Sequence, residues 1–185
     1  MRAFVAVVGL LLLPALAARP DTDRDLTLDA DASRVHFQLQ ALGWFPVRGD
    51  ARAEGSIQVR DALAAIDVRV PLASLQMNRA GYRDWALSPE FFAAARHPEI
   101  GFRATAIPLQ RLHDGGEILG ELRVRGQARP ARFVLVAGDC AETAAHCRVQ
   151  ATGELSRRAF GMRTRRYTLG DRIRIVLDLR LVPAP

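Results

Sequence analysis

The stretch RVHFQLQA, Arg34–Ala41, alternates apolar and polar side chains along its whole length. Val35, Phe37 and Leu39 share one face of an extended chain, and the residues between them are polar or charged. A period of two is typical of a strand with one face in a core and the other in water. The stretch therefore predicts a half-buried β-strand.

The same period recurs along the chain. Its apolar positions include Ile57, Val59, Ile66, Val68, Val70, Leu122, Val124, Ile173, Ile175, Leu177, Leu179 and Leu181. Turn signals separate these stretches, at Gly49-Asp50, Arg60-Asp61, Gly126 and Gly170-Asp171. About eight strands joined by short turns predict an antiparallel all-β fold, because parallel strands need long crossovers.

A sandwich and a closed barrel both fit this periodicity. We favour the barrel, since closure removes exposed strand edges. An eight-stranded barrel is just wide enough to hold its own side chains or one small ligand.

The first residues, MRAFVAVVGLLLLPALAA, have the basic start, apolar run and small-x-small ending of a secretory signal peptide. We expect residues 1–17 to be removed on export and residues 18–185 to form one domain. All 26 basic residues are arginine, and the formal net charge is +6. Genome base composition accounts for this bias without a function, and attraction to anionic lipid or diphosphate groups is the functional alternative.

Cys140 and Cys147 are separated by the six residues AETAAH, between two strand-like runs. In an oxidising, exported compartment they predict one disulfide at a hairpin end. A metal site built from the two cysteines and His146 is the weaker alternative, because zinc sites usually show paired motifs, and we predict none.

The segment YRDWALSPEFFAAARHPEIGF, residues 82–102, breaks the strand pattern. Ser88, Pro89 and Glu90 are typical of a helix cap, a first helical turn and an acid at its start. The pattern predicts a short helix that begins at Ser88 and ends before Pro98, preceded by a loop.

This segment resembles the signature of the YceI-like family, with its Arg-Asp pair, its Ser-Pro-x-Phe-Phe run and its Pro-x-Ile-x-Phe strand. Three further pieces in family order resemble it too: LDADASRVHFQLQALGWFPVRG (28–49), GELRVRGQARPARFVL (120–135) and ATGELSRRAFGM (151–162). The resemblance covers nearly the whole chain after the signal peptide.

The resemblance implies an eight-stranded, lipocalin-like antiparallel barrel in the periplasm, which holds an isoprenoid, quinone-like or fatty amphiphile and catalyses nothing. The candidate ligand contacts are Phe37, Leu39, Trp44, Phe45, Trp85, Phe91, Phe92, Phe102, Arg157 and Phe160. Any of these rings can instead be ordinary core, because aromatic residues dominate the interiors of small β domains. No cofactor other than the bound lipid is expected.

The chain departs from the family at three positions where members often carry histidine. Here they are Ala32, Ala41 and Trp85, and the usual aspartate of the late motif is Ala159. If those histidines bind a polar head group or a metal in relatives, that role is in doubt in this chain.

Other functions were weighed against lipid binding. Asp84, Ser88 and His97 have the residue types of a hydrolytic triad, but Ser88 lies in a cap pattern without a nucleophile elbow. The run RRAFGMRTRRY, residues 157–167, resembles a nucleic-acid patch, but export argues against nucleic acid as a partner. Three other roles remain open for this run: it binds a diphosphate, it docks transiently to an anionic membrane, or it is a merely solvated turn. An envelope stress-response or protein-interaction module with a self-filled core is the second hypothesis. The sequence leaves open whether the protein is a monomer or a homodimer.

Overall fold

The computed structural model of the chain describes residues 23–79, 81–138 and 147–185. The predicted signal peptide, Cys140 and His146 lie outside these ranges. The strands of the described residues are β1 (Arg24–Leu28), β2 (Arg34–Ala41), β3 (Phe45–Arg52), β4 (Glu54–Arg60), β5 (Leu63–Pro71), β6 (Gln76–Met77), β7 (Glu99–Pro108), β8 (Gly116–Val124), β9 (Gln127–Leu135), β10 (Cys147–Ser156) and β11 (Arg172–Pro183). The helices are α1 (Tyr82–Leu87) and α2 (Gln110–Asp114), with 3₁₀ turns at Leu72–Ser74 and Arg157–Phe160.

The strands form one antiparallel sheet that closes on itself. Strands β4, β5, β7, β8, β9, β10 and β11 are hydrogen-bonded in that order, and β1 joins β11 to β4. These strands make a closed ring of eight among the described residues. The predicted eight-stranded barrel is confirmed.

The first four strands, β1 to β4, form a part of the barrel wall in which two short strands follow each other along the same neighbour. β11 pairs with β2 through Leu177↔Val35 and with β1 through Leu181↔Leu28. β3 and β4 follow each other across Ala53, which is fully buried. Beside β11, the two short strands β1 and β2 take the place of one long strand, and β3 and β4 do the same next to them. The chain therefore has more strands than the closed ring of eight.

The alternating residues lie where their period predicts, with the apolar positions inside. They pack in two clusters, one around Val59 and Leu181 and the other around Leu39 and Met162. The second cluster lies at what we call the upper end, where β2, β5, β8 and β10 end. Both α1 and the connection between β10 and β11 are at this end.

The helical insert differs from its prediction. α1 is Tyr82–Leu87, and Ser88 is its C-terminal cap, whose N–H donates to the Trp85 carbonyl at 3.1 Å. The residues that follow form turns, with Ala93 at φ +52°. Phe91 and Phe92 are both buried and meet edge to face at 4.8 Å. Neighbouring positions of a regular helix point in different directions, so burying both rings in one core favours irregular backbone.

The turn predicted at Gly49-Asp50 is also wrong, because both residues lie inside β3. The turn comes earlier, where the Trp44 N–H donates to the Ala41 carbonyl at 3.2 Å. Gly49 lies in the strand opposite Phe37, whose ring covers it. Its glycine is thus explained by packing and not by a turn.

No helix within the described ranges has the length and apolarity needed to cross a bilayer.

Candidate functional site

An apolar cavity of about 100 Å³ lies inside the barrel. Its lining residues are Val35, Phe37, Ala51, Val68, Val70, Leu72, Leu75, Phe92, Ile100, Phe102, Leu122, Val124, Phe133, Leu155, Met162, Ile173, Ile175 and Leu177. Every one of these side chains is apolar. Such a chamber can hold hydrocarbon, and it offers no charged or hydrogen-bonding side chain to a reacting group.

Three phenylalanines of the wall lie over glycines of neighbouring strands. A Cβ added at Gly49 would come within 2.4 Å of the Phe37 ring, and one at Gly153 within 2.7 Å of the Phe133 ring. Phe102 lies over Gly120 in the same way, at 2.5 Å. Aromatic rings cover glycines across strands in other sheets as well. Here the glycines let the rings lie along the wall, which leaves the middle of the barrel open.

The first part of the roof is the segment of residues 81–98, which we call the helical insert. Its Phe92 lines the cavity, and Phe91 packs behind it, 5.0 Å from the Trp85 ring. Arg83 attaches α1 to the preceding 3₁₀ turn, donating from Nε to the Leu75 carbonyl at 2.9 Å. The insert is therefore held to the preceding 3₁₀ turn by Arg83 and to the core by its own apolar side chains.

The second part of the roof is the segment of residues 157–170, which we call the arginine loop. Its Met162 lines the cavity. Arg157 is 0% exposed, and its guanidinium donates to carbonyl oxygens of the loop. The acceptors are Gly170 at 2.8 Å, Leu169 at 2.8 Å, Thr164 at 2.9 Å and Met162. A single buried side chain thus closes the loop on itself.

The electrostatics of Arg157 follow from this position. Burial lowers the pKa of its guanidinium, the charge of Arg158 lowers it further, and Asp171 partly offsets both. Arginine is the most basic of the side chains, so the group keeps its charge at neutral pH despite this lowering. With its Nε and both terminal nitrogens directed at main-chain carbonyls, Arg157 is placed to hold the loop and not to reach into the chamber.

The insert and the loop meet through Arg165. Its guanidinium lies 5.3 Å from the centre of the Trp85 ring, and its Nε is 4.0 Å from Glu90. Glu90 in turn accepts a hydrogen bond from the Trp85 indole at 3.2 Å. These contacts are at the surface, where a cation–π contact or an ion pair contributes roughly 1 kcal/mol or less.

Arg125 in the turn between β8 and β9 also joins the two roof segments. It donates to the Gly161 carbonyl at 3.0 Å and to the Pro89 carbonyl at 3.1 Å. Among the described residues few polar contacts join the two segments, which also pack apolar side chains in the same upper cluster. The wall is joined by main-chain hydrogen bonds between its strands, so we expect this boundary to open before the wall does.

The structure brings three of the ten candidate ligand residues to the cavity, namely Phe37, Phe92 and Phe102. Leu39, Phe91 and Phe160 are buried in the upper cluster, Trp85 is half-buried over Phe91, and Arg157 lies behind the loop. Trp44 and Phe45 are at the surface, 75% and 49% exposed, because they lie at the end of a hairpin that projects from the sheet.

Several lining residues are absent from the candidate list, including the aromatic Phe133. Phe133 alternates with Leu135 in β9, and this periodicity was the signal for an inward side chain. Met162 follows the 3₁₀ turn of the arginine loop, where periodicity carries no information.

The positions that often carry histidine in the family do not form one site here. Ala32 is exposed in the turn before β2, at the lower end, whereas Ala41 and Trp85 are at the upper end. A head-group site built from all three positions is therefore not available to this chain.

The three residues weighed as a triad are not connected. Asp84 is exposed, the Ser88 Oγ is buried with no hydrogen-bond partner among the described residues, and the His97 ring lies against Gly126. Ser88 does not cap a helix with its side chain, contrary to the prediction.

Within the described ranges no cluster of His, Cys, Asp and Glu could hold a metal ion. Cys147 is buried at the start of β10, and its pairing with Cys140 stays a prediction.

Comparisons with known proteins bear on the whole barrel. The model of the YceI-like domain matches residues 26–181. The chain is similar to the crystal structure of BcnA from Burkholderia cenocepacia, with a TM-score of 0.68 and 17% identity over 83% of this chain and 98% of that one.

Two further solved structures are similar. A polyisoprenoid binding domain from Saccharophagus degradans has a TM-score of 0.63 and 12% identity, over 86% of this chain and 98% of that one. The YCEI protein of Campylobacter jejuni has a TM-score of 0.57 and 17% identity, over 71% and 82% of the two chains. At such identities these structures show a shared fold. No curated protein matches the sequence.

Proposed function

Because the chain belongs to the YceI-like domain family, we propose that it binds an amphiphilic lipid, with the apolar chain inside the barrel and no chemical reaction. The observation that carries the proposal is the cavity, whose lining is entirely apolar. The fold is shared with a polyisoprenoid binding domain, which supports an isoprenoid as ligand. A quinone-like or fatty amphiphile has the same apolar character.

The driving force of binding is the burial of hydrocarbon. Each CH₂ group removed from water contributes about 0.8 kcal/mol, so one five-carbon prenyl unit contributes about 4 kcal/mol. The cavity of about 100 Å³ is small for a long chain, and the roof has to move as the ligand enters. The boundary between the helical insert and the arginine loop is the weakest part of that roof, and the polar end of the ligand would lie there.

We further propose that the signal peptide, residues 1–17, directs the protein to the periplasm. In the periplasm the protein would have access to the lipids of the surrounding membranes.

Filling the cavity tests this function. Ile175 lines it, whereas Val176, the next residue of β11, faces the outside. Ile175→Phe should weaken binding of N-phenyl-1-naphthylamine, an uncharged fluorescent probe, because the larger ring occupies cavity volume that the probe needs; we expect a loss of about tenfold or more, which is about 1.4 kcal/mol of binding free energy. Val176→Phe is the matched control and should bind as the wild type. Equal affinities of the two variants would refute an internal site.

The ligand itself is sought by native mass spectrometry of the protein from the periplasm of its host, followed by extraction. A released prenyl or acyl lipid supports the proposal. The second candidate, a protein-interaction module with a self-filled core, is favoured by the small volume of the cavity. A ligand-free protein that also refuses added farnesol, ubiquinone and palmitate would favour that candidate.

A further inference from the structure

The hairpin between β2 and β3 exposes three large apolar side chains at its end. We call residues 42–45 the hairpin tip; Leu42 is 58%, Trp44 75% and Phe45 49% exposed. The two rings meet edge to face at 6.0 Å. The other exposed large apolar residues of the barrel are single positions or strand faces, such as Leu119 and Val134. No other group in the described ranges places three within four residues.

Folding does not explain this composition. Leu42 has φ +50° and Gly43 φ +81°, which are the angles of a turn that favours Asn, Asp or Gly. The leucine remains 58% exposed at this position and bears a left-handed backbone conformation. Its apolar side chain is therefore best explained by a surface that it contacts.

The tip lies directly beside the arginine loop. The Leu42 N–H donates to the Thr168 carbonyl at 2.7 Å, and Ala41 pairs with Leu169. The adjoining residues of the loop, RTRRYTL (163–169), contain three arginines and no acid. All three arginines are exposed, and so is Tyr167.

The charge beside the tip is mostly unneutralised. Arg165 faces Glu90 at 4.0 Å, and Arg158, further along the loop, faces Asp171 at 3.6 Å. Arg163 and Arg166 have no carboxylate within ion-pair distance among the described residues. The Arg166 guanidinium lies 4.5 Å from the centre of the Tyr167 ring and donates to its hydroxyl, and both residues are exposed.

We propose that the hairpin tip and the arginine loop dock the protein on an anionic lipid bilayer, an inference that rests on the proposed lipid-binding function. Tryptophan and tyrosine favour the boundary between head groups and acyl chains, and arginines favour the negative surface above it. Met162 of the same loop lines the cavity, so docking would bring the weakest part of the roof against the membrane.

A protein partner fits this surface less well. The exposed parts of three side chains amount to an area on the order of 400 Å², estimated from the size of aromatic side chains. Stable protein interfaces bury about 800 Å² on each partner. A bilayer needs no matching surface, because it admits a projecting apolar tip of any shape.

The test is co-sedimentation of the full protein with vesicles, comparing phosphatidylcholine alone with an equimolar mixture of phosphatidylcholine and phosphatidylglycerol. The wild type should bind the mixed vesicles more strongly, and added salt should weaken binding. Trp44→Ser should lower the partition coefficient about tenfold or more, since it removes the largest apolar group of the tip. Leu119→Ser, on the outer face of β8, is its matched control and should bind as the wild type.

The charge contribution is tested separately. The double variant Arg163→Gln, Arg166→Gln should lower the partition coefficient roughly fivefold per residue. The double variant Arg103→Gln, Arg132→Gln changes net charge equally at other places and should have a much smaller effect.

Three outcomes would overturn the proposal. They are equal binding to both kinds of vesicle, unchanged binding of the Trp44→Ser variant, and equal effects of the two arginine double variants. A wild type that pellets only with another protein would indicate a protein partner instead.

The naphthylamine titration in solution separates the two proposals. The Arg163→Gln, Arg166→Gln variant should bind the probe as the wild type does. Probe binding without vesicle binding refutes docking alone. Vesicle binding without any lipid or probe in the barrel refutes the carrier function alone.

Discussion

Replacing Arg157 by methionine is the sharpest test of how the roof is held. Methionine keeps an unbranched apolar stem but is shorter than arginine and removes every donor. Four carbonyl oxygens lose a partner: those of Met162, Thr164, Leu169 and Gly170. The bonds to Met162 and Leu169 are buried, and a buried acceptor without a partner costs about 1–3 kcal/mol, so these two carbonyls alone account for a loss of about 2–6 kcal/mol. Relief from burying a charge without a carboxylate offsets part of it, and we expect a net loss of about 3 kcal/mol.

The assay is urea unfolding followed by circular dichroism, with limited trypsin digestion to locate the change. Arg158→Met is the matched control, because that neighbour is exposed and its contact with Asp171 is a surface ion pair, worth about 1 kcal/mol or less. Trypsin should cut the arginine loop of the Arg157→Met variant before the barrel unfolds. If that variant loses less than about 1 kcal/mol, or no more than Arg158→Met, the carbonyl contacts do not hold the loop.

Three further predictions concern the wall, the roof and the outer surface. Gly153→Ala should push the Phe133 ring into the cavity, since the new Cβ would lie 2.7 Å from it; a loss of about 1–3 kcal/mol and weaker probe binding are expected, and unchanged probe affinity would contradict the account of the wall. Ser88→Ala should raise the free energy of unfolding by about 1 kcal/mol, because its buried hydroxyl lacks a partner; a loss of similar size would point to an unseen partner. The hydrogen bonds and charge of Arg148 lower the pKa of Asp178, so this pair stabilises the fold above the unfolded-state pKa of about 3.9 and loses that effect as pH falls through the lower folded-state pKa; Asp178→Asn should flatten the acid limb of stability against pH, and an unchanged limb would exclude the pair as its cause.

The barrel was predictable because its signals are local and repeated. The period of two in β2 and β11 follows from one wet and one buried face, and each strand carries it independently. Gly126 marks its turn correctly because a tight turn needs a positive φ, which is +72° there. Gly49 gave a wrong turn prediction because this glycine makes room for the Phe37 ring on the neighbouring strand. A contact between strands cannot be inferred from the local sequence alone.

The helix in the insert shows a second limit. The Ser88-Pro89-Glu90 pattern states a local preference, but the burial of two adjacent rings outweighs it and places α1 six residues earlier. Trp44 shows a third limit, because the residue type alone does not distinguish an aromatic side chain at a surface tip from one in a core. Only its position at the end of a projecting hairpin separates the two.

The sequence by itself determined the strand pattern, the antiparallel pairing and the apolar interior, because alternation depends only on the order of residues along the chain. Alternation fits a sandwich as well as a barrel, so the tertiary pairing of β1 with β11 decided that the sheet closes. Tertiary structure decided which rings line the cavity, how Arg157 holds the roof and where the arginine loop meets the hairpin tip. These features join residues far apart in sequence, as when Leu42 bonds to Thr168. Their energies come from packing and desolvation, which exist only once the barrel has closed.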